Sequence, residues 1–240
     1  MKLFLLGATG NSGRRILRLA LQRGHEVTAW VRDPTQLSTT TGDKTRVIAG
    51  DTQDITALSL AMRGHDVVIN AAGTTAVPVG YTALVNNVIK AAEKALGEHG
   101  RFWLFGGAAA LDIPGTSSMT LDLPLIPKAF QLHKINLEAV RKTQLDWSML
   151  CPGPMIESPN GQSTVGLRIS TEQWPVDGPA LASVLPGIAS SLAFARRVPE
   201  MTIYYEDGAS VILDHLDTNG PFFRKRVGVA LPRGVRRHKS

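Results

Sequence analysis

Lys2-Leu3-Phe4-Leu5-Leu6-Gly7-Ala8-Thr9-Gly10-Asn11-Ser12-Gly13 carries an apolar strand straight into a G-x-x-G-x-x-G turn, and a helical stretch from Arg14 to Arg23 follows at once. A dinucleotide pyrophosphate needs that order. Glycines turn the chain tightly and let backbone N–H groups approach the phosphates, and the helix N-terminus adds partial positive charge. Three glycines alone say little. Here Glu26-Val27-Thr28-Ala29-Trp30-Val31 reads as a second strand and closes a βαβ-type unit of about thirty residues. Gly7, Thr9, Gly10, Asn11, Ser12 and Gly13 are therefore candidate cofactor-binding residues.

The end of the second strand bears on which nucleotide is held. A carboxylate there would accept from a ribose 2′-OH and select NAD. This chain places Arg32 in Val31-Arg32-Asp33-Pro34, and a guanidinium suits a 2′-phosphate. Arg14 and Arg15 stand nearby as further donors. The expected cofactor is NADP, the competing reading being a solvated Arg32 with Asp33 on the ribose.

At 240 residues, with 43% hydrophobic and 19% charged side chains, the chain fits one large α/β domain able to bury a core. Net charge is +6, but much of the excess lies in Arg224, Lys225, Arg226, Arg233, Arg236, Arg237 and Lys239. No aromatic-interleaved basic motif accompanies them, so a small-molecule substrate is expected rather than nucleic acid. The tail from 233 to 240 reads as a solvated basic segment. Cys151 stands alone, which points to a reducing compartment. No apolar run is long enough for a membrane span, and the expected location is cytoplasmic. His25, His65, His99, His215 and His238 lack metal-ligand spacing with any Cys or carboxylate, so no metal is expected.

Strands and helices then alternate. Thr45–Ala49, Asp66–Asn70, Arg101–Phe105 and Trp147–Leu150 read as strands; Asp54–Gly64, Tyr81–Glu98 and Pro127–Lys142 read as helices. This argues for a doubly wound parallel sheet with helices on both faces. Asp54 is expected to cap its helix. After Cys151-Pro152-Gly153-Pro154 the rhythm breaks, and residues 155–180 are rich in Pro, Gly and Ser around Trp174. A helix near Ala180–Ala195, the strand Met201–Tyr205, a helix Glu206–Leu216 and Val227–Ala230 complete the chain. We read 1–154 as a nucleotide-binding core and 155–232 as a small C-terminal substrate-side lobe of the same domain, because ligands sit beyond the carboxyl ends of the strands.

Together these residues resemble the atypical short-chain dehydrogenase/reductases, in the NAD(P)H-binding branch typified by biliverdin reductase B (flavin reductase) and the NmrA-like proteins. The resemblance covers about residues 1–154 and implies a Rossmann fold holding NADPH. It matches Gly7–Gly13 to the glycine turn and Val31-Arg32-Asp33 to the NADP-selecting strand end. Gly50-Asp51, with Thr52 beside it, matches the segment beside the adenine. Ala71-Ala72-Gly73-Thr74 matches the loop beside the adenosine ribose and pyrophosphate, which adds Asp51, Thr52, Ala72 and Gly73 to the cofactor set. His133-Lys134 resembles the lysine helix, which implies that Lys134 binds the nicotinamide ribose; His133 beside it reads either as a donor into the pocket or as a packing or surface residue.

Standard members of that superfamily reduce carbonyls with a Ser, a Tyr and a Lys. The position four before Lys134 is Phe130, and the expected serine is missing from Gly106-Gly107-Ala108-Ala109-Ala110; Thr116, Ser117 and Ser118 lie further along. Two acceptor-pocket histidines of the flavin reductase correspond to Ala129 and Pro154. Alcohol dehydrogenase chemistry is therefore not expected. Hydride transfer to a flavin or quinone asks less, since the protein need only hold donor and acceptor face to face. The alternatives are a non-catalytic NADP(H)-sensing regulator and a sugar-nucleotide epimerase relative.

Overall fold

The structure, a computed structural model, describes residues 1–37, 44–73, 80–116, 118–178 and 187–239. Its first strand, β1 (Lys2–Leu6), sets the layering. Side chains alternate across a strand, so Leu3 and Leu5 enter one buried cluster while Phe4 and Leu6 enter the other. A strand apolar on both sides must lie inside a sheet covered on both faces.

The elements follow as α1 (Asn11–Gln22), β2 (Glu26–Val31), β3 (Thr45–Ala49), α2 (Ile55–Met62), β4 (Val67–Asn70), α3 (Tyr81–Leu96), β5 (Arg101–Phe105), α4 (Gln131–Arg141), β6 (Asp146–Cys151), β7 (Met155–Ile156), β8 (Arg168–Thr171), α5 (Ile188–Met201), β9 (Ile203–Tyr204), α6 (Tyr205–Leu213) and β10 (Lys225–Ala230). The main sheet runs β3-β2-β1-β4-β5-β6-β10-β8, with β8 antiparallel to β10 and every other pairing parallel. Helices α2, α3 and α4 carry their buried residues into the Phe4 and Leu6 cluster; α1 and α6 cover the Leu3 and Leu5 face. Strand order reverses between β1 and β4, and in a doubly wound sheet that switch point opens a crevice for ligand.

Several boundaries differ from those read in the sequence. α1 begins at Asn11 rather than Arg14, because Gly10 is itself its N-cap residue. Met201 ends α5 instead of opening a strand, and the start of the expected helix near Ala180 falls outside the described residues. Two strands in the Pro- and Gly-rich section, β7 and β8, had no sequence signal. β8 and β10 extend the central sheet beyond β6, so this part of 155–232 lies in the sheet plane.

The basic tail is also held, not free. The Arg237 backbone N–H donates to the Pro199 carbonyl at 2.8 Å, and its guanidinium lies 3.6 Å from the Tyr204 ring centroid and 3.4 Å from Asp207. A guanidinium that stacks on a ring and meets a buried carboxylate has fixed partners, which a run of charges in a sequence does not reveal.

Candidate active site

Three glycines after β1 have three different jobs. Gly7 has φ +77°, and a Cβ there would lie 2.5 Å from the Ala71 carbonyl carbon, so the turn passes against the end of β4. A Cβ on Gly13 would come within 1.9 Å of the Gly7 carbonyl oxygen, so this glycine lets α1 pack onto the turn. At Gly10 a Cβ would meet only the Gly7 oxygen, at 3.3 Å, and its other surroundings are open. Gly10 faces a cleft of about 930 Å³, beside the first turn of α1, where no side chain caps the N-terminus and no acidic residue stands. Open backbone donors, an uncapped helix end and the absence of nearby carboxylates in that turn fit a pyrophosphate.

The same cleft is lined by Gly7, Thr9, Trp30, Arg32, Asp51, Thr52, Ala72 and Gly73. It thus brings together most of the cofactor set expected from sequence. Gly50 lets the Trp30 indole lie against the chain: a Cβ there would be 2.0 Å from the ring. The buried Trp30 Nε1 has no hydrogen-bond partner among the described residues. Trp30 had been legible only as a strand residue.

Arg32 forms no hydrogen bond or ion pair among the described residues and remains exposed on the cleft. Asp33, the competing ribose ligand, is engaged elsewhere. It caps a short turn by accepting from the Thr35 backbone N–H at 3.0 Å, the Thr35 hydroxyl at 2.6 Å and Gln36 at 3.2 Å. The bonds from Thr35 hold its carboxyl below the usual range. Arg14 and Arg15 turn away from the cleft. Arg14 meets Asn11 at 2.6 Å and Glu157 at 3.2 Å; Arg15 meets Glu157 at 2.7 Å and the buried Glu206 at 3.3 Å. Asn11 points with them, donating to the Tyr205 hydroxyl at 3.3 Å. Asp54 caps α2 through the Ala57 N–H at 2.9 Å.

A second cavity, of about 700 Å³, meets the first along Ala71, Ala72, Gly73 and Tyr81. Its walls are mainly apolar: Phe105, Ala108, Ala109, Phe130, Pro154, Met155, Phe194 and Val198, with Ser12, His133, Tyr205 and Lys239 among them. Ala108 and Ala109 stand where a polarising serine was sought. Thr116 spends its hydroxyl on the Ile113 carbonyl, neither it nor Ser118 lines the cavity, and Ser117 lies outside the described residues.

His133 and Lys134 part company. His133 is buried on the cavity wall, edge-on to Tyr81 and stacked with Phe130, and Gly107 makes room for its Nε2. Burial lowers its pKa to about 4, so the ring is neutral at neutral pH. Lys134, the next residue, is rotated about 100° around the helix. Its Nζ lies 2.8 Å from Asp122 and it lines neither cavity, so the ammonium is not directed at the cleft as the resemblance implied. Phe130 stands one residue before α4, in helical backbone at the end of a short 3-10 turn, so what the Tyr-x-x-x-Lys spacing lacks here is the hydroxyl itself.

Trp174 packs in the core, donating to the Thr120 hydroxyl at 2.6 Å. Burial raises the Cys151 thiol to about 12, leaving it protonated and inert. Among the described residues no group of three or more His, Cys, Asp or Glu is arranged to hold a metal, and no helix is long and apolar enough to cross a membrane. The chemically equipped residue that sequence reading missed is Tyr81. Its signal was a tyrosine directly after Gly80, opening the helix that follows β4 at the sheet's switch point.

Known proteins share this fold. The model of a family described as NAD(P)H-binding matches residues 7–182. YwnB of Bacillus subtilis, itself uncharacterized, is 30% identical over 176 residues, which cover 68% of this chain and 76% of that protein. A Streptococcus pneumoniae protein described as a candidate NADH-flavin reductase superposes with a TM-score of 0.70 at 27% identity, over 96% of this chain and 99% of that one. A short-chain dehydrogenase/reductase from Veillonella parvula, solved in complex with NADP, shares the fold with a TM-score of 0.69 at 16% identity, over 100% and 98% of the two chains. This chain belongs to the NAD(P)H-binding family.

Proposed function

We propose that this protein is an NADPH-dependent reductase that transfers hydride to a flat conjugated acceptor of the flavin or quinone type. One observation carries the reading: a cleft built for a dinucleotide opens, along Ala71, Ala72, Gly73 and Tyr81, onto a second cavity with apolar walls. The backbone of Gly7–Gly13 and the α1 N-terminus hold the pyrophosphate, Asp51, Thr52 and Trp30 border the adenosine, and Arg32 takes the 2′-phosphate. Arg32, without a partner among the described residues, and the occupied Asp33 favour NADP over NAD. Bound NADPH supplies the hydride. The apolar walls exclude water and suit an aromatic ring system, and the neutral His133 forms part of that wall.

The Streptococcus pneumoniae relative supports a flavin as one acceptor. Alanines at 108 and 109 and Phe130 favour a second reading, a sensor that binds NADP(H) and turns nothing over. Consumption of NADPH with flavin mononucleotide or a naphthoquinone separates the two, since a sensor binds without consumption. Cofactor choice is tested with Arg32→Asp, which is expected to weaken NADPH by about tenfold or more while changing NADH little. Equal loss of both nucleotides refutes the NADP assignment.

A further inference from the structure

We propose that Tyr81 is the proton donor of the reduction, taking from α3 the role that the superfamily usually gives to a tyrosine on the lysine helix. This rests on reading the second cavity as the acceptor site. Among the described residues, four line both cavities: Ala71, Ala72, Gly73 and Tyr81. Three of them carry no side-chain proton. A group that protonates an acceptor lying against the cofactor must stand where the cavities meet, and among these four only Tyr81 has a hydroxyl.

The surroundings hold the ring firmly. Tyr81 is 7% exposed. Gly73, at φ +126°, gives its ring room, since a Cβ there would lie 2.2 Å from the ring carbon Cε2. His133 meets it edge-on with ring centroids 6.3 Å apart. Behind it on α4 lies the fully buried Asn136, whose amide adjoins the Tyr81 hydroxyl and works against the desolvation of its anion, although neither amide atom completes a hydrogen bond of good geometry among the described residues. Polar atoms buried without partners cost stability, and here they adjoin a phenol at the junction of two cavities.

The step balances. The acceptor gains two electrons as hydride from the bound dihydronicotinamide. The Tyr81 O–H bond breaks, an O–H bond forms on a reduced quinone or an N–H bond on a reduced flavin, and the phenolate recovers its proton from water. Direction follows from the charges nearby. Desolvation raises the Tyr81 pKa above its ordinary value, and the lysine that would lower it is bound to Asp122. Tyr81 therefore rests as a neutral acid, suited to reduction, and is a poor base for alcohol oxidation.

The test is Tyr81→Phe, which keeps the ring. Two readouts are used. The first is binding of 2-hydroxy-1,4-naphthoquinone, whose anionic oxygen mimics the reduced acceptor, to the complex with NADP, followed by calorimetry. The variant is expected to bind the probe about tenfold more weakly while binding NADP as the wild type does. The second is turnover of a naphthoquinone, where kcat is expected to fall about 100-fold and the solvent deuterium isotope effect to disappear. A variant that keeps probe affinity, kcat and isotope effect overturns the assignment, and so does a wild type that binds none of the probe. A wild type that binds the probe through Tyr81 yet consumes no NADPH sinks the reductase reading and leaves the Tyr81 hydrogen bond standing.

Discussion

His133 should make the protein sensitive to mild acid, by an amount its burial fixes. The ring is 4% exposed, its Nδ1 has no partner among the described residues, and burial lowers its pKa from 6.5 to about 4. A histidine depressed in this way binds its proton more weakly in the folded chain than in the unfolded one. It costs nothing well above pH 6.5, destabilises progressively as pH falls through that value, and levels off below its folded pKa. At about 1.4 kcal/mol per unit, the full difference is about 3 kcal/mol, of which about 2 kcal/mol appears between pH 7 and pH 5. Urea unfolding of the wild type and of His133→Leu at those two pH values isolates the effect, because every other titrating group is common to both. The wild type should lose about 2 kcal/mol more than the variant over that interval. Equal losses would refute the reasoning and show that the folded protein accommodates the imidazolium.

Two further substitutions probe the frame around the site. Arg101 and Asp146 face each other across β5 and β6, 2.9 Å apart and buried, so Arg101→Met should cost about 3–5 kcal/mol by stranding the carboxylate, measurable by urea unfolding. Arg237→Ala releases the tail from Tyr204 and Asp207, and Lys239 on that tail lines the second cavity; KM for flavin mononucleotide should rise about threefold while KM for riboflavin, which lacks the phosphate, stays unchanged.

The sequence showed what depends on backbone geometry and on period, and hid what depends on side-chain direction. β1, β2, β3 and β5 sit where the alternation of apolar runs and turns put them, and the parallel, doubly wound character of the sheet follows from that alternation, whereas its strand order does not. The glycine turn was legible because close approach leaves no substitute for glycine at positions 7 and 13. β7 has only two residues and β8 alternates half-buried and exposed positions at a sheet edge, so neither produces an apolar run. The chemistry was harder to see. His133 and Lys134 are neighbours in sequence, yet a helix sends consecutive side chains about 100° apart, and only one can face a cavity. Tyr81 read as a helix start because nothing local shows that a helix opening after β4 has its first side chain where two cavities join.

That separation explains why restoring the missing tyrosine should not restore the usual chemistry. Phe130→Tyr recreates the Tyr-x-x-x-Lys spacing on paper. In the fold, residue 130 precedes the first turn of α4 and its ring stacks on His133, at 6.3 Å between centroids, while the Lys134 ammonium lies 2.8 Å from Asp122. The Lys–Asp pair raises the Lys134 pKa and holds the charge away from the cavity wall. A phenol at 130 would have no ammonium beside it to favour its anion, and the wall would still present Ala108 and Ala109 where a carbonyl needs a hydrogen bond. Phe130→Tyr should therefore show no NADP-linked oxidation of a secondary alcohol above that of the wild type. Adding Asp122→Ala frees the ammonium but leaves it on the outer face of α4, so the double variant should be equally inactive. Measurable alcohol oxidation by the single variant would show that α4 can rotate to present both groups, and that the orientation of Lys134, rather than the loss of the tyrosine, was the lesser obstacle.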